Sequence, residues 1–213
     1  MANEEIRQAN VEIVLQTAIT LFIENGIENT TREMIARASG LSRRSTERYF
    51  PTKTECVVQA AEWFGRQLYE KSGTRKMLQD PENLGSDILR AYLEEVKDIL
   101  LKEKRIFACY AEFKAHLYRN SEHRDVDYRR FAEAVGCRKM LQSIFERGRE
   151  DHTVYTHTNP ESNARYLTNS MMSYFSNVVL LYDTDEELMR QYIDTYIKDT
   201  WEQYCGDWLF FNM

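Results

Sequence analysis

Between Arg32 and Lys53 the chain carries six basic residues and two acidic ones, whereas the remainder of its 213 residues carries 22 basic and 32 acidic. Positive charge gathered into so short a stretch of an otherwise acidic protein calls for a local polyanionic partner, and the residue types here can read one. Arginine presents two donors that match guanine O6 and N7. Arg43, Arg44 and Ser45 stand at the N-terminal end of a short helix, the end that enters a DNA major groove. Thr31, Tyr49 and Lys53 fall at helix ends or flanks, where hydroxyls, an ammonium and free backbone N–H groups hold phosphates. Arg32, Ser42 and Arg48 complete the polar set. Glu47 is its odd member. One turn beyond Arg43 and Arg44, it either restrains them by i, i+3 or i, i+4 pairing while repelling phosphate, or it accepts a hydrogen bond from cytosine N4. The bland alternative for the whole stretch is a solvated helical hairpin with arginines on its wet face.

Other chemistry is poorly served. Glu112 and His116 lie one helical turn apart and could share a metal ion, and His152 and His157 flank a loop, but neither pair has a third ligand at a telling spacing. The sequence lacks the Glu-x-x-His repeats of a di-iron bundle, a GxSxG elbow, a phosphate-binding loop and a dinucleotide fingerprint. The expectation is a protein with no catalytic residues, no metal and no cofactor. The cysteines at 56, 109, 137 and 205 are scattered, with no CxxC pair, and fit reduced thiols, Cys56 as a small apolar filler inside a helix. The start, "MANEEIRQAN", resembles no signal or transit peptide, and no apolar run reaches the roughly 18 residues of a membrane span. A cytoplasmic protein without a membrane partner is expected.

The elements that must position these residues read as all-α. Eight glycines and three prolines are too few for the turns of a sandwich or barrel. Val14, Leu15, Ala18 and Phe22 recur at helical spacing in a first helix over about residues 3–25, which Gly26 stops. Thr30 with Glu33 forms a capping box for a second helix to Ser39, and Gly40 permits a sharp turn. Ser42 caps a third helix that ends at Phe50, before Pro51. Thr52 with Glu55 launches a fourth, to Lys71. Ile35, Leu41, Tyr49 and Phe50 are then inward, and small Ala36 sits where the third helix crosses the second. After a polar break at Ser72-Gly73, helices follow over 87–102, 105–118 and 125–150, a loop over 151–158, a helix from the Asn159 cap and Pro160 to Tyr182, and a last one from a capping box at Thr184 and Glu187. That makes nine helices.

The stretches "LFIENGIENTTREMIARASGLS" and "RYFPTK" resemble the N-terminal signature of the tetracycline-repressor (TetR) family, with Gly26, Thr30, Thr31, Ile35, Ala36, Gly40, Ser42, Tyr49, Phe50 and Lys53 in register over about residues 10–58. Two positions depart from it, Thr46 where the family has a bulky apolar residue and Glu47 where it has an aromatic one. The resemblance implies a two-domain all-α protein: a helix-turn-helix DNA-binding domain over 1–52, a connecting helix over 53–72, and a ligand-binding and dimerisation domain over 73–213. It implies a ligand-responsive regulator, a repressor by the family habit, that binds a palindromic double-stranded DNA operator as a homodimer; the alternative is a protein-binding module that keeps the scaffold and no longer reads DNA. The last two helices carry the apolar faces for such a dimer, with Met171, Phe175, Val178, Tyr182, Tyr192 and Tyr196 on them, although the same faces could pack within one chain. An unknown small apolar or aromatic effector would meet Phe107, Tyr110, Phe113, Tyr128, Phe131, Tyr166 and Tyr174, since pockets are largely apolar with a few placed polar groups.

Overall fold

The computed structural model describes residues 2–135, 138–156 and 158–206, and every regular element among them is a helix. In chain order these are α1 (Ala2–Asn25), α2 (Arg32–Ala38), α3 (Arg43–Tyr49), α4 (Lys53–Lys71), α5 (Gly73–Gln79), α6 (Gly85–Lys102), α7 (Lys104–Asn120), α8 (Arg124–Val135), α9 (Arg138–Glu150), α10 (Pro160–Tyr182) and α11 (Glu186–Cys205). None of them is long and apolar enough to cross a membrane.

The all-α class holds, with eleven described helices in place of nine. One addition is α5, inside the stretch taken for a polar break. Ser72 caps it, its Oγ accepting from the Arg75 N–H at 3.2 Å, and Glu95 of α6 accepts from the Ser72 and Thr74 hydroxyls at 2.9 and 2.6 Å. A short polar helix is thereby held by partners distant in sequence. The other is that the expected helix over 125–150 is described as α8, to Val135, and α9, from Arg138, with 136 and 137 outside the described residues.

Caps fall partly as expected. Ser42, Thr52 and Asn159 each accept from the backbone N–H three residues on, at 3.1, 3.0 and 2.8 Å. Two others move by one residue. Thr31, not Thr30, caps α2, and Asp185, not Thr184, caps α11. Thr30 is instead fully buried, its hydroxyl lying 2.8 Å from the Gly26 carbonyl and 3.1 Å from that of Leu21, so it closes the end of α1.

The described residues divide into two compact units, Met1–Gln67 with Cys109–Val135, and Leu68–Ala108 with Gly136–Met213. The first packs Val14, Leu15, Ala18 and Phe22 of α1 with Ile35, Phe50 and the Cys56–Val58 run, and takes in α8. There Arg130 donates to Glu62 at 2.9 Å and to Glu55 at 3.3 Å on α4, and the Ala134 carbonyl lies where a Cβ on Gly65 would stand. The second unit buries Ile88, Leu89 and Leu93 of α6, Leu141, Ile144 and Phe145 of α9, and one face each of α10 and α11. Cys56 is buried and Cys109 and Cys205 are half-buried; all three are free thiols that burial pushes up to about 12, 11 and 12, while Cys137 lies outside the described residues.

Candidate nucleic-acid interface

Helix α3 is fixed from both ends and beneath. Gly40, at φ +72°, lets the chain reverse after α2, and the Leu41 N–H closes the turn on the Ala36 carbonyl at 3.1 Å. The Ser42 cap starts the helix, and the Phe50 N–H donates to the Thr46 carbonyl at 2.9 Å where it ends. Thr46 points inward and is 1% exposed; its hydroxyl reaches the Ser42 carbonyl at 3.3 Å, so a polar side chain stands in an apolar slot with its donor engaged. Ile35, Ala36 and Phe50 complete the floor, whereas Leu41 and Tyr49 are only half-buried.

That rotation turns Arg43, Arg44 and Arg48 to solvent, with Ser45 and Glu47 half-exposed between them. Arg43 Nε donates to Glu47 Oε1 at 2.9 Å, and the Arg32 guanidinium lies 3.9 Å from the same oxygen. The hydrogen bond from Arg43 and the charges of Arg43 and Arg32 hold the Glu47 carboxyl below its usual range. Arg44 has no hydrogen-bond or ion-pair partner among the described residues, which leaves its guanidinium available. Arg48 lies over the Tyr49 ring at 5.3 Å and, with a hydrogen bond from Asn10, lowers the pKa of that phenol.

Two residues expected to contact DNA have other engagements. Arg32 donates to the Pro51 carbonyl at 2.8 Å, tying α2 to the turn after α3. Lys53 is about three-quarters covered, its Nζ donating to the Glu28 carbonyl at 3.0 Å, and burial lowers its pKa. Thr31, Ser42 and Ser45 are spent in part on capping, with Thr31 and Ser42 still exposed. Sequence reasoning left out Arg37, exposed in the last turn of α2, and Asn10 of α1, whose approach to Tyr49 depends on tertiary packing that no local pattern announces.

The effector candidates are divided between the two units. In the first unit Phe131 stacks on Phe113 at 3.5 Å and on Tyr110 at 5.4 Å, with Tyr128 half-buried. In the second, Phe107 meets Phe175 edge-on and Tyr174 stacks on Tyr196 at 4.6 Å. Tyr166, 65% exposed, lines a cavity of about 420 Å³ with Tyr155, Thr158, Asn163, Gln203 and Tyr204. Thr168 Oγ1, Asn169 Oδ1 and Arg138 Nε, on α10 and α9, are buried without a hydrogen-bond partner. Of the residues expected at a dimer seam, Met171, Phe175 and Val178 belong to the chain's own core, at 1%, 0% and 4% exposure. Tyr182 and Tyr192 stack at 4.8 Å, and Leu180 and Leu181 near the end of α10 are exposed. Among the described residues no cluster of three or more His, Cys, Asp or Glu side chains could hold a metal, and His157 lies outside them.

Residues 14–60 match the family model described as bacterial regulatory proteins, tetR family. No curated protein matches the chain. Similar solved structures include the reduced form of NemR from E. coli, 17% identical over 90% of this chain and 96% of that one, with a TM-score of 0.66. FadR from Thermus thermophilus, described as a TetR family transcriptional repressor in complex with lauroyl-CoA, is 18% identical over 88% of this chain and 91% of that one, at 0.64. The transcriptional regulator FadR from Bacillus subtilis, in complex with stearoyl-CoA, is 13% identical over 87% and 97%, at 0.66. Likenesses at these identities speak for the fold.

Proposed function

We propose that this chain, whose residues 14–60 match the tetR family of bacterial regulatory proteins, is a ligand-responsive transcriptional repressor that binds a palindromic operator as a homodimer in the cytoplasm. The observation that carries the reading is α3 itself. Its inward side is fully packed, its N-terminal turn is capped, and its outward side offers the unengaged Arg44 beside Arg43 and Arg48. Arg44 is assigned to a base edge, and Thr31, Arg48 and Tyr49 to phosphates on either side. Two such helices must meet successive major grooves, about 34–36 Å apart, which a dimer formed through the outer face of α10 and α11 provides for.

The effector is a small apolar or aromatic molecule with at least one polar group. Two fold relatives hold acyl-CoA ligands, and the second unit has both a tyrosine-lined cavity and buried polar atoms on α9 and α10 that a ligand could satisfy. Its binding would favour a conformation whose recognition helices no longer match the grooves, a population shift that releases DNA. A mobility shift with DNA from upstream of the protein's own gene, run at two salt concentrations beside a scrambled duplex, tests the reading. Retention of the upstream fragment at the higher salt, with two chains per complex, is expected; no retention of either duplex at low salt would overturn it and leave a protein-binding role for the scaffold.

A further inference from the structure

Glu112 and His116 are the pair that sequence alone offers as a metal site, and the structure engages both otherwise. They lie on one face of α7, with Cys109 before them and Arg119 and Asn120 after, and that face meets the corner between α1 and α2. The corner is Gly26-Ile27-Glu28, entered with Gly26 at φ +81°. Glu112 Oε2 accepts from the Ile27 N–H at 2.7 Å, and a Cβ on Gly26 would press on the same carboxylate at 3.1 Å. His116, 2% exposed, places Nδ1 3.0 Å from Glu28 Oε1 and Nε2 3.2 Å from the Thr54 hydroxyl in the first turn of α4. The hydrogen bond from His116, with the charges of Lys53 and Arg119, keeps Glu28 below the usual carboxylate range, and its carboxylate can only accept from Nδ1. Asn120 Nδ2 donates to the His116 carbonyl at 3.1 Å and stands 3.1 Å from the same Nδ1. From the far side of the corner, Lys53 donates to the Glu28 carbonyl at 3.0 Å.

The corner and the first turn of α4 flank the helix-turn-helix at its two ends, and both are held by one rigid face of a helix far away in sequence. We propose that Glu112 and His116 are positioning residues for DNA recognition: through Ile27, Glu28 and Thr54 they fix the two ends of the α2–α3 segment and hence the angle at which α3 is presented. This rests on the reading of α3 as the recognition helix. A fixed angle favours the sequence whose base edges meet Arg44, and it matters little for random DNA held by phosphate contacts alone. Cutting the clamp therefore costs selectivity before it costs non-specific binding.

The test uses the full-length chain and a duplex that the wild-type protein selects from a randomised library, beside a scrambled duplex of the same composition. The double substitution Glu112→Ala with His116→Ala removes three part-buried hydrogen bonds and should weaken the selected duplex by about tenfold or more while changing the scrambled one by about twofold at most. Glu112→Gln, whose amide oxygen still accepts from Ile27, should recover most of the loss attributable to Glu112. Hydrogen exchange on DNA-free protein supplies a second readout, with faster exchange expected at Ile27 and across α3 in the Ala variants and unchanged exchange across α10. Equal loss on both duplexes, or full selectivity in a folded double variant, would overturn the proposal. Should the double variant not fold, the single Glu112→Ala and Glu112→Gln proteins decide it by the same two readouts. If the wild-type chain selects no duplex, the DNA-binding reading falls, and exchange at α3 still judges whether the clamp orders that helix.

Discussion

The recognition helix and the α10–α11 pair both present an outer face, and the faces differ in what fixes them. Helix α3 is seven residues long, and its rotation is set by a cap, a turn glycine and the buried pair Thr46 and Phe50, so the five outward positions around Thr46 follow from local chemistry. Helix α10 has 23 residues with apolar side chains on more than one side. Spacing says that its stripe is apolar but not which part turns inward, and Met171, Phe175 and Val178 went to the core while Leu180 and Leu181 stayed outside. A short helix pinned at both ends can be oriented from sequence; a long one with apolar residues around most of its circumference is oriented by what it packs against.

The sharpest way to break that contrast is a pair of substitutions three residues apart. Val178→Asp puts a carboxylate into the protomer's own core and should cost about 3 kcal/mol or more, seen as a large fall in melting temperature or as insoluble protein. Leu181→Asp, at a side chain 71% exposed, should leave the melt of the protomer nearly unchanged and yield monomers by light scattering at micromolar concentration. Equal destabilisation by both would mean that Leu181 is covered in the protomer. A dimer that survives Leu181→Asp would remove this face from the seam.

The next effect separates reading from holding on the α3 side. Arg44→Ala should cost roughly 1 to 3 kcal/mol per half-site on the selected duplex and much less on scrambled DNA, as for a bidentate base contact. Arg48→Ala should weaken both duplexes alike and reduce the magnitude of the salt slope by about one per subunit. Lys53→Ala is the control that uses the geometry: because its ammonium is tied to the Glu28 carbonyl, the loss should appear in the melt first and the salt slope should stay. A fall in slope for Lys53→Ala equal to that for Arg48→Ala would show that the lysine leaves Glu28 to reach phosphate.

Much of the first unit is legible in sequence because its signals are short-range. Ser42, Gly40 and Pro51 act within four residues of where they stand, and so does the Asn159-Pro160 start of α10. What was not legible acts at a distance. Thr30 and Thr31 are equally good caps on paper, and only the burial of Thr30 against the end of α1 assigns the role to its neighbour. Helix α5 needs Glu95, more than twenty residues on, to satisfy Ser72 and Thr74. Glu112 and His116 show a metal-like spacing, and the groups that claim them lie more than sixty residues away. The aromatic set chosen for the effector is divided between the two units, where Phe131 stacks on Phe113 and Tyr110 and Tyr174 stacks on Tyr196, pairings that spacing alone does not announce.

The smallest effect concerns Glu47, where both roles read from the sequence remain chemically possible and the geometry leans to one. Its carboxylate already accepts from Arg43 at 2.9 Å and feels Arg32 at 3.9 Å, so one oxygen is occupied before DNA arrives. Held by Arg43 below the usual carboxylate range, it stays ionised through neutral pH, and binding there should carry no titration from this pair. A fixed negative charge beside phosphates opposes every sequence equally, whereas a cytosine contact favours one. As a brake, Glu47→Gln removes the repulsion while its amide oxygen can still orient Arg43, and binding to selected and scrambled duplexes should tighten by about two- to fivefold, more at low salt than at high. As a cytosine reader, the same substitution should weaken the selected duplex by about tenfold and leave the scrambled one unchanged. Titrating both proteins on both duplexes at two salt concentrations decides between them. Loss on the selected duplex alone would reject the brake, and no change on either would reduce Glu47 to a surface partner of Arg43.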